Sequence, residues 1–212
     1  MAHSHNSNEQ CQVPRHMYHV SQTINEVFFE RGIWKAALDG DIDQIKYFLQ
    51  KGVFVDVLDS AGYTALHYAA RGGHVHVCEL LLENGANVNS RTRCLEATAL
   101  HRAIDIHRSS EMVKMVDLLL RNGADPNLTD VDGKTALHRA ILETDGNLNS
   151  VEVIAKLLPI TNHAIKNNHG QTIDDLLESL KKKDKNVGKR PIDPEGLRLL
   201  LNLYKSNRKE VE

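Results

Sequence analysis

Cysteine is scarce in this sequence of 212 residues, and the few cysteines present form no pattern. Cys11, Cys78 and Cys94 are odd in number and unevenly spaced. They make neither a disulfide framework nor a Cys-x-x-Cys metal pair. Chains without such a framework are typical of reducing compartments. We therefore expect a cytoplasmic protein, with the nucleus as a second location.

Long apolar runs and an excess of one charge are also missing. No apolar stretch reaches the roughly 20 residues of a membrane helix, and the polar first residues lack the apolar core of a secretory signal. Lysine and arginine total 26 against 28 aspartates and glutamates, a formal net charge of -2. Such a balance gives no general attraction to nucleic acid or to anionic membranes. We expect neither a membrane nor a nucleic-acid partner.

What the sequence does contain is a repeat. Thr-Ala-Leu-His begins at Thr64, Thr98 and Thr135, and a degraded copy begins at Thr172. The first step is 34 residues, and the next two are 37 residues each. A pattern typical of two short apolar helices follows each of the first three copies, and an Asn-Gly-Ala turn follows twice, first at Gly85. Self-similarity at this period indicates stacked helical units.

Each position of the motif has a physical role. The threonine precedes a helix, where its hydroxyl can cap the free amides of the first turn. The leucine is expected in the core between units, and the histidine can bond to backbone groups of the adjoining turn. We expect these structural roles for His67, His101 and His138. Zinc ligands must all lie about 2 Å from one ion, and histidines at the same position of successive stacked units are too far apart to share one. Weak metal binding by the histidines of the N-terminal arm is the remaining metal hypothesis.

The Thr-x-Leu-His core and the turn spacing resemble the ankyrin repeat, and residues 59–89 come close to its consensus. The resemblance implies a β-turn and two helices per unit. The fold class is then all-α: an ankyrin-repeat α-solenoid of helix-turn-helix units with projecting β-turns. Residues 31–37 align with residues 64–70 at a shift of 33, with Trp34 in the histidine position. About five units are expected, including atypical caps.

This register divides the chain into an arm, a repeat domain and a tail. Residues 1–20 are predicted as a disordered polar arm, residues 21–206 as the repeat domain and residues 207–212 as a charged tail. Units 1 to 5 lie near 28–58, 59–91, 92–129, 130–166 and 167–206. Insertions near 106–110 and 144–150 should lengthen the loops between the paired helices of units 3 and 4. Unit 3 also lacks the Asp and Gly of its turn.

The resemblance implies a protein-binding module without catalysis or cofactors. Such stacks present a concave face of turn tips and first helices. By register, the binding residues on this face are Ser60, Ala61, Tyr63, Tyr68, Arg71, Ala97, Arg102, Asp105, Val131, Asp132, Lys134, Arg139 and Leu142. Tyrosine and arginine dominate binding hot spots, and three arginines on one face favour a protein partner with an acidic surface. We expect a monomer.

Two other classes of function are weaker. A substrate adaptor or chaperone-like protein that holds an unfolded client would need an exposed apolar patch, whereas the turns here are mostly polar. An enzyme would need an acid, a base and a nucleophile in one place, and the repeat already accounts for the recurring histidines. The glycines punctuate helices and turns and form no phosphate-binding loop.

Three further features carry separate hypotheses. A basic cluster is either a nuclear import signal, a handle for nucleic acid or a solvated loop between helices; its members are Lys181, Lys182, Lys183, Lys185, Lys189 and Arg190. Cys94 is expected as an exposed thiol in a turn, and Cys78 as a half-buried thiol on a helix. Asn89 stands where ankyrin repeats can resemble substrates of an asparaginyl hydroxylase, although asparagine also suits the turn.

Overall fold

In a computed structural model of the chain, the structure describes residues 32–105, 110–144, 147–183 and 202, with the backbone alone for residues 180–183. All regular secondary structure in these ranges is helical. The helices are α1 (Ile33–Asp39), α2 (Ile42–Gln50), α3 (Ala65–Gly72), α4 (Val75–Glu83), α5 (Ala99–Ile104), α6 (Ser110–Arg121), α7 (Ala136–Glu143), α8 (Leu148–Leu157) and α9 (Ile173–Lys183). The predicted all-α class is confirmed.

The helices pack in two layers. The first helices of the units, α1, α3, α5, α7 and α9, contact one another in that order, and so do the second helices, α2, α4, α6 and α8. The two helices of each unit from 1 to 4 also contact each other. Leu66, Leu100 and Leu137 are buried in the core, as the motif predicted. The stack is the helical solenoid that the repeat indicated. Of the predicted insertions, Ser110 begins α6 and residues 148–150 belong to α8, whereas residues 106–109 and 145–146 lie outside the described ranges.

The threonine and histidine of the motif start three of the first helices together. In each case the threonine amide donates a hydrogen bond to the histidine Nδ1 at 3.2 Å, and the pairs are Thr64–His67, Thr98–His101 and Thr135–His138. Because Nδ1 is the acceptor, we assign the proton of the neutral ring to Nε2. The predicted link between these histidines and the backbone is confirmed.

The other nitrogen of the imidazole ties one unit to the next. His67 Nε2 lies 3.0 Å from the Ser90 carbonyl and 3.1 Å from the Ala97 carbonyl. His101 Nε2 lies 3.0 Å from the Lys134 carbonyl. These carbonyls belong to the segments that form and precede the projecting turn of the following unit. Each of these two rings therefore fixes both its own helix and the turn of its neighbour.

Each unit from 2 to 5 begins with a projecting turn, which we call a finger: residues 59–63, 92–97, 130–134 and 167–171 are fingers 2, 3, 4 and 5. In finger 2 the Asp59 carboxylate accepts hydrogen bonds from the amides of Ala61 and Tyr63, at 2.9 and 2.8 Å. Finger 4 repeats this arrangement around Asp130. The β-turns predicted for units 2 and 4 are confirmed.

Finger 3 is one residue longer than its neighbours. Thr92 takes the place of the aspartate, and its hydroxyl accepts from the amide of Ala97, five positions on, at 3.1 Å. In finger 2 the corresponding bond spans four positions. Glu96 stands at the glycine position with φ of 51°, a left-handed conformation that few non-glycine residues adopt. The unusual sequence of unit 3 thus encodes an enlarged finger tip that carries Leu95.

Cys78 lies deeper than expected. Its side chain on α4 is fully buried, not half-buried, because the second helix of unit 2 is covered by α2 on one side and α6 on the other. Burial raises the pKa of this thiol far above its ordinary value, so it stays protonated and packs as a small apolar group.

No helix in the described ranges is long and apolar enough to cross a bilayer.

Some of the predictions lie outside the described ranges. They concern the arm 1–20, the tail 207–212, and the basic residues Lys185, Lys189 and Arg190. Lys181, Lys182 and Lys183 form the end of α9. Nuclear import through this cluster stays a prediction, as do the cytoplasmic and nuclear locations.

Candidate functional site

The predicted binding face is only partly exposed. The exposed members are Ser60, Ala61, Arg71, Val131, Asp132 and Leu142, and the half-buried ones are Tyr63, Tyr68, Asp105, Lys134 and Arg139. Ala97 and Arg102 are buried, contrary to the prediction. The structure brings most of these residues together on units 2 to 4, in a network of aromatic rings and ion pairs beside a small groove.

Two tyrosines and an arginine join unit 2 to unit 3. The ring of Tyr63 lies 5.4 Å from that of Tyr68, centroid to centroid. The Tyr68 hydroxyl donates to Asp59 Oδ2 at 2.6 Å, and burial together with this bond raises the pKa of Tyr68 above its usual range. On the other side, the Arg102 guanidinium lies 5.5 Å from the centre of the Tyr63 ring. These tyrosines hold finger 2 against the first helices.

Arg102 is not the exposed anchor that the register predicted. Its side chain is buried at the start of the network, and Nη1 lies 2.8 Å from Asp105 Oδ2. The physical reason is the ring of Tyr63, which covers the guanidinium from the neighbouring unit. A buried arginine paired within its own chain cannot present a free charge to a partner.

Arg139 is also engaged by carboxylates of its own chain. Its Nη2 lies 2.9 Å from Asp105 Oδ1 and 3.8 Å from Glu143 Oε1, and its Nη1 lies 4.0 Å from Asp130 Oδ2. Of the three arginines on which the acidic-partner prediction depended, only Arg71 is exposed. The premise of that prediction, a row of three exposed positive charges, is therefore wrong.

A groove of about 180 Å³ opens beside this network, between fingers 3 and 4 and helix α7. Its apolar lining consists of Leu95, Val131 and Leu142, which are all exposed. The Val131 amide donates to the Leu95 carbonyl at 2.9 Å, which fastens the two finger tips together. The enlarged tip of finger 3 thus supplies one apolar wall, and α7 supplies the other.

Charged side chains surround the apolar lining of the groove. They are Asp130, Asp132, Lys134, Arg139 and Glu143. Lys134 Nζ lies 2.8 Å from Asp132 Oδ2, and this bond holds the pKa of the Asp132 carboxyl below its ordinary value. The carboxylate is ionised at neutral pH. The groove therefore offers an apolar pocket with charged side chains at its rim.

Sequence reasoning found Val131 and Leu142 but missed Leu95 and Glu143. The sequence did contain a signal for Leu95: six positions separate Thr92 from Thr98 in unit 3, whereas five separate Asp59 from Thr64 in unit 2. Aligning the units on the Thr-x-Leu-His motif alone does not reveal this additional residue. Glu143 stands at the last position of α7, and its approach to Arg139 follows from helical spacing of four residues.

The remaining hypotheses receive partial answers. Asn89 bridges units, since its Nδ2 donates to the Gly123 carbonyl at 3.0 Å and its Oδ1 accepts from the Asp125 amide at 2.8 Å. Its hydroxylation stays a prediction. Cys94 is a half-buried free thiol. Within the described ranges no group of three or more His, Cys, Asp or Glu side chains is arranged to hold a metal ion.

Comparison with known proteins agrees with the architecture. The family described as ankyrin repeats (3 copies) matches residues 33–130 and 91–159. Ankyrin repeat domain-containing protein 39 from Homo sapiens is 51% identical over 82 residues, which are 39% of this chain and 45% of that protein. The Bos taurus protein of the same name is 56% identical over 64 residues, 30% of this chain and 35% of that protein.

A larger relative extends the comparison. BCL-6 corepressor-like protein 1 from Homo sapiens is 37% identical over 123 residues, 57% of this chain but 7% of that protein. The chain thus aligns with less than half the length of each of these relatives. Ankyrin repeats generally mediate protein–protein interaction and are generally non-catalytic. Because the family match covers more than half of the chain, this protein belongs to the ankyrin repeat family.

Proposed function

We propose that this chain is a non-catalytic protein-binding module that holds its partner on the concave face, with the groove between fingers 3 and 4 and α7 as the anchor point. The observation that carries the proposal is the exposure of Leu95, Val131 and Leu142 around one groove. Clusters of exposed apolar residues rimmed by polar ones mark interaction sites on soluble domains.

The size of the groove favours one side chain of a partner over a small-molecule cofactor. Cofactor and ligand sites usually enclose about 300–1,000 Å³, whereas this groove has about 180 Å³. Protein interfaces concentrate their binding energy in a few residues that fill well-packed pockets. A single large apolar side chain, inserted beside Leu142, is the occupant that fits these dimensions.

The walls of the groove are held in place before any partner arrives. The Leu95 carbonyl is bonded to finger 4, and Arg139 is fixed between Asp105 and Asp130. A preorganised site loses less conformational entropy on binding. The client-holding alternative has less support, because a groove this small and ringed by charges suits a defined segment better than an unfolded chain.

A random peptide library displayed on phage tests the proposal against the purified chain. The affinity of a selected synthetic peptide is then measured by fluorescence anisotropy for the parent protein and for two variants, Leu142→Ala and Ile160→Ala. These side chains are similarly exposed, 41% and 45%, but only Leu142 lines the groove. We expect Leu142→Ala to weaken binding by about thirtyfold, the level of an interface hot spot, and Ile160→Ala to leave it unchanged. Equal affinities for all three proteins would refute the groove as the anchor.

A further inference from the structure

We infer that the segment bound by this chain carries a carboxylate as well as its apolar anchor, and that this carboxylate pairs with Arg71 on α3. The inference deepens the proposed function and rests on it. It names the chemistry of the partner: a peptide segment in which an aspartate or glutamate lies about five or six positions from a large apolar residue.

The first argument is one position of the repeat that recurs in three units. Arg71, Asp105 and Leu142 each stand seven residues after the threonine of their motif. The first helices of these units contact one another in chain order, so the three residues form a row across the predicted binding face. The row starts at the groove with Leu142 and ends on α3 with Arg71.

The second argument is that the middle of this row is already neutralised. Asp105 Oδ2 lies 2.8 Å from Arg102 Nη1, and Asp105 Oδ1 lies 2.9 Å from Arg139 Nη2. Both arginines stand four residues after the threonine, where unit 2 has Tyr68. A segment that leaves the groove toward unit 2 therefore passes an engaged carboxylate before it reaches Arg71.

The third argument is that Arg71 is exposed and has no partner in its own chain. No residue within the described ranges forms an ion pair with its guanidinium. The carboxylate of Asp59 in finger 2 accepts hydrogen bonds from the Tyr68 hydroxyl and from amides of the finger. Interfaces match a charge of one sign with a partner of the other sign, so Arg71 favours a carboxylate at this end of the row.

The spacing of the two partner residues follows from helix packing. Axes of packed helices lie about 8–10 Å apart, so α7 and α3, which α5 separates, lie about 16–20 Å apart. An extended chain advances about 3.3 Å per residue. The acidic residue therefore lies about five or six positions from the apolar anchor.

A library of random peptides displayed on phage tests the inference with the purified chain, because selected sequences report both residues and their separation. Fluorescence anisotropy then gives the affinity of a selected peptide for the parent protein, for Arg71→Gln and for Arg121→Gln. The last variant is the control. Both arginines are exposed and stand in the last turn of a helix, but Arg121 lies on α6 among the second helices.

We expect Arg71→Gln to weaken binding by about two- to fivefold, the effect of an exposed ion pair, and Arg121→Gln to leave it unchanged. A second peptide, in which the matching amide replaces the carboxylate, should bind the parent more weakly by the same factor. This second peptide should bind the parent and Arg71→Gln equally.

The outcomes separate the inference from the proposed function. If Leu142→Ala weakens binding but Arg71→Gln does not, the inference is overturned and the groove remains the anchor. The inference is also overturned if selected peptides lack a carboxylate at this spacing, or if Arg71→Gln weakens both peptides equally. If Leu142→Ala leaves binding unchanged, the proposed function itself fails.

Discussion

Lowering the pH from 7 to 5 should destabilise the stack through its buried histidines. His67 is the best-defined case, because burial, opposed in part by bonds to the Ala97 and Ser90 carbonyls, lowers its pKa from 6.5 to about 4. Burial also lowers the pKa values of His101 and His138. All three rings therefore favour the neutral form in the folded protein, and their contributions have the same sign.

The size of the effect follows from proton linkage. At pH 7 the ring is neutral in the folded chain and about three-quarters neutral in the unfolded chain, so its contribution to the pH dependence is small there. Below pH 6.5 the unfolded chain takes up a proton that folded His67 binds only near pH 4. The free energy of unfolding therefore falls as the pH falls through this window. His67 alone should account for a loss of about 2 kcal/mol at pH 5 relative to pH 7.

The substitution His67→Gln isolates this contribution. Glutamine is a natural residue at the third position of a capping box. Its side chain can therefore accept the hydrogen bond from the Thr64 amide, which His67 Nδ1 accepts in the parent protein. The variant is expected to be less stable at pH 7, because it loses the ring contacts with Ser90 and Ala97. Its stability should nevertheless decline less steeply with falling pH, by about 2 kcal/mol between pH 7 and pH 5.

Urea unfolding followed by circular dichroism at several pH values measures both quantities. His76→Gln is the control, because the His76 side chain on α4 is 83% exposed and its Nδ1 lies 3.0 Å from Glu79 Oε2. That variant should follow the parent at every pH. If His67→Gln and the parent lost the same free energy of unfolding between pH 7 and pH 5, the buried ring would not be the cause and the reasoning would be refuted.

Two further predictions concern stability. Arg102→Ala should lower the free energy of unfolding by about 2 kcal/mol, the cost of leaving hydrogen-bonding groups unpaired. The substitution removes the ion pair with Asp105 and the contact between the guanidinium and the Tyr63 ring. Urea unfolding measures the loss, and an unchanged midpoint together with altered peptide binding would show that Arg102 contacts the partner. Gly62→Ala should lower the free energy of unfolding by about 1–3 kcal/mol more than Gly85→Ala does. Both glycines have positive φ, but a Cβ at Gly62 would lie 2.6 Å from Arg93 Cβ, whereas a Cβ at Gly85 would have no atom within 4 Å. Thermal unfolding of both variants decides, and equal losses would contradict the close packing of fingers 2 and 3.

The parts of the fold that were predictable are those encoded within one unit. The Thr64–His67 bond spans three residues, and the Asp59 turn spans four. Their geometry is local, so one copy of the motif is enough to specify it. The recurrence of the motif along the chain then predicted that similar units stack on one another. The leucines of the motif were equally predictable, because a helix beside two neighbours must bury the same face in every unit.

The exposure of side chains on the concave face was not predictable in the same way. Arg102 is buried by Tyr63 from unit 2, and Arg139 is neutralised by Asp105 from unit 3. Register assigns a residue to a face, but it does not say which side chain of the neighbouring unit lies over it. The groove was not predictable for a related reason. It depends on one additional residue in finger 3, which an alignment of the units on the Thr-x-Leu-His motif does not reveal.

The polar network and the groove make different contributions to recognition. The chain of contacts from Tyr68 through Tyr63, Arg102 and Asp105 to Arg139 crosses three units. Two of its links join neighbouring units, Tyr63 to Arg102 and Asp105 to Arg139. Removing one link leaves a half-buried charge unpaired, so the network resists being opened by a partner. Its charges are thereby unavailable for binding and serve to hold α5 and α7 in register. If the groove is the binding site, we expect the binding energy to come from its apolar walls at Leu95 and Leu142.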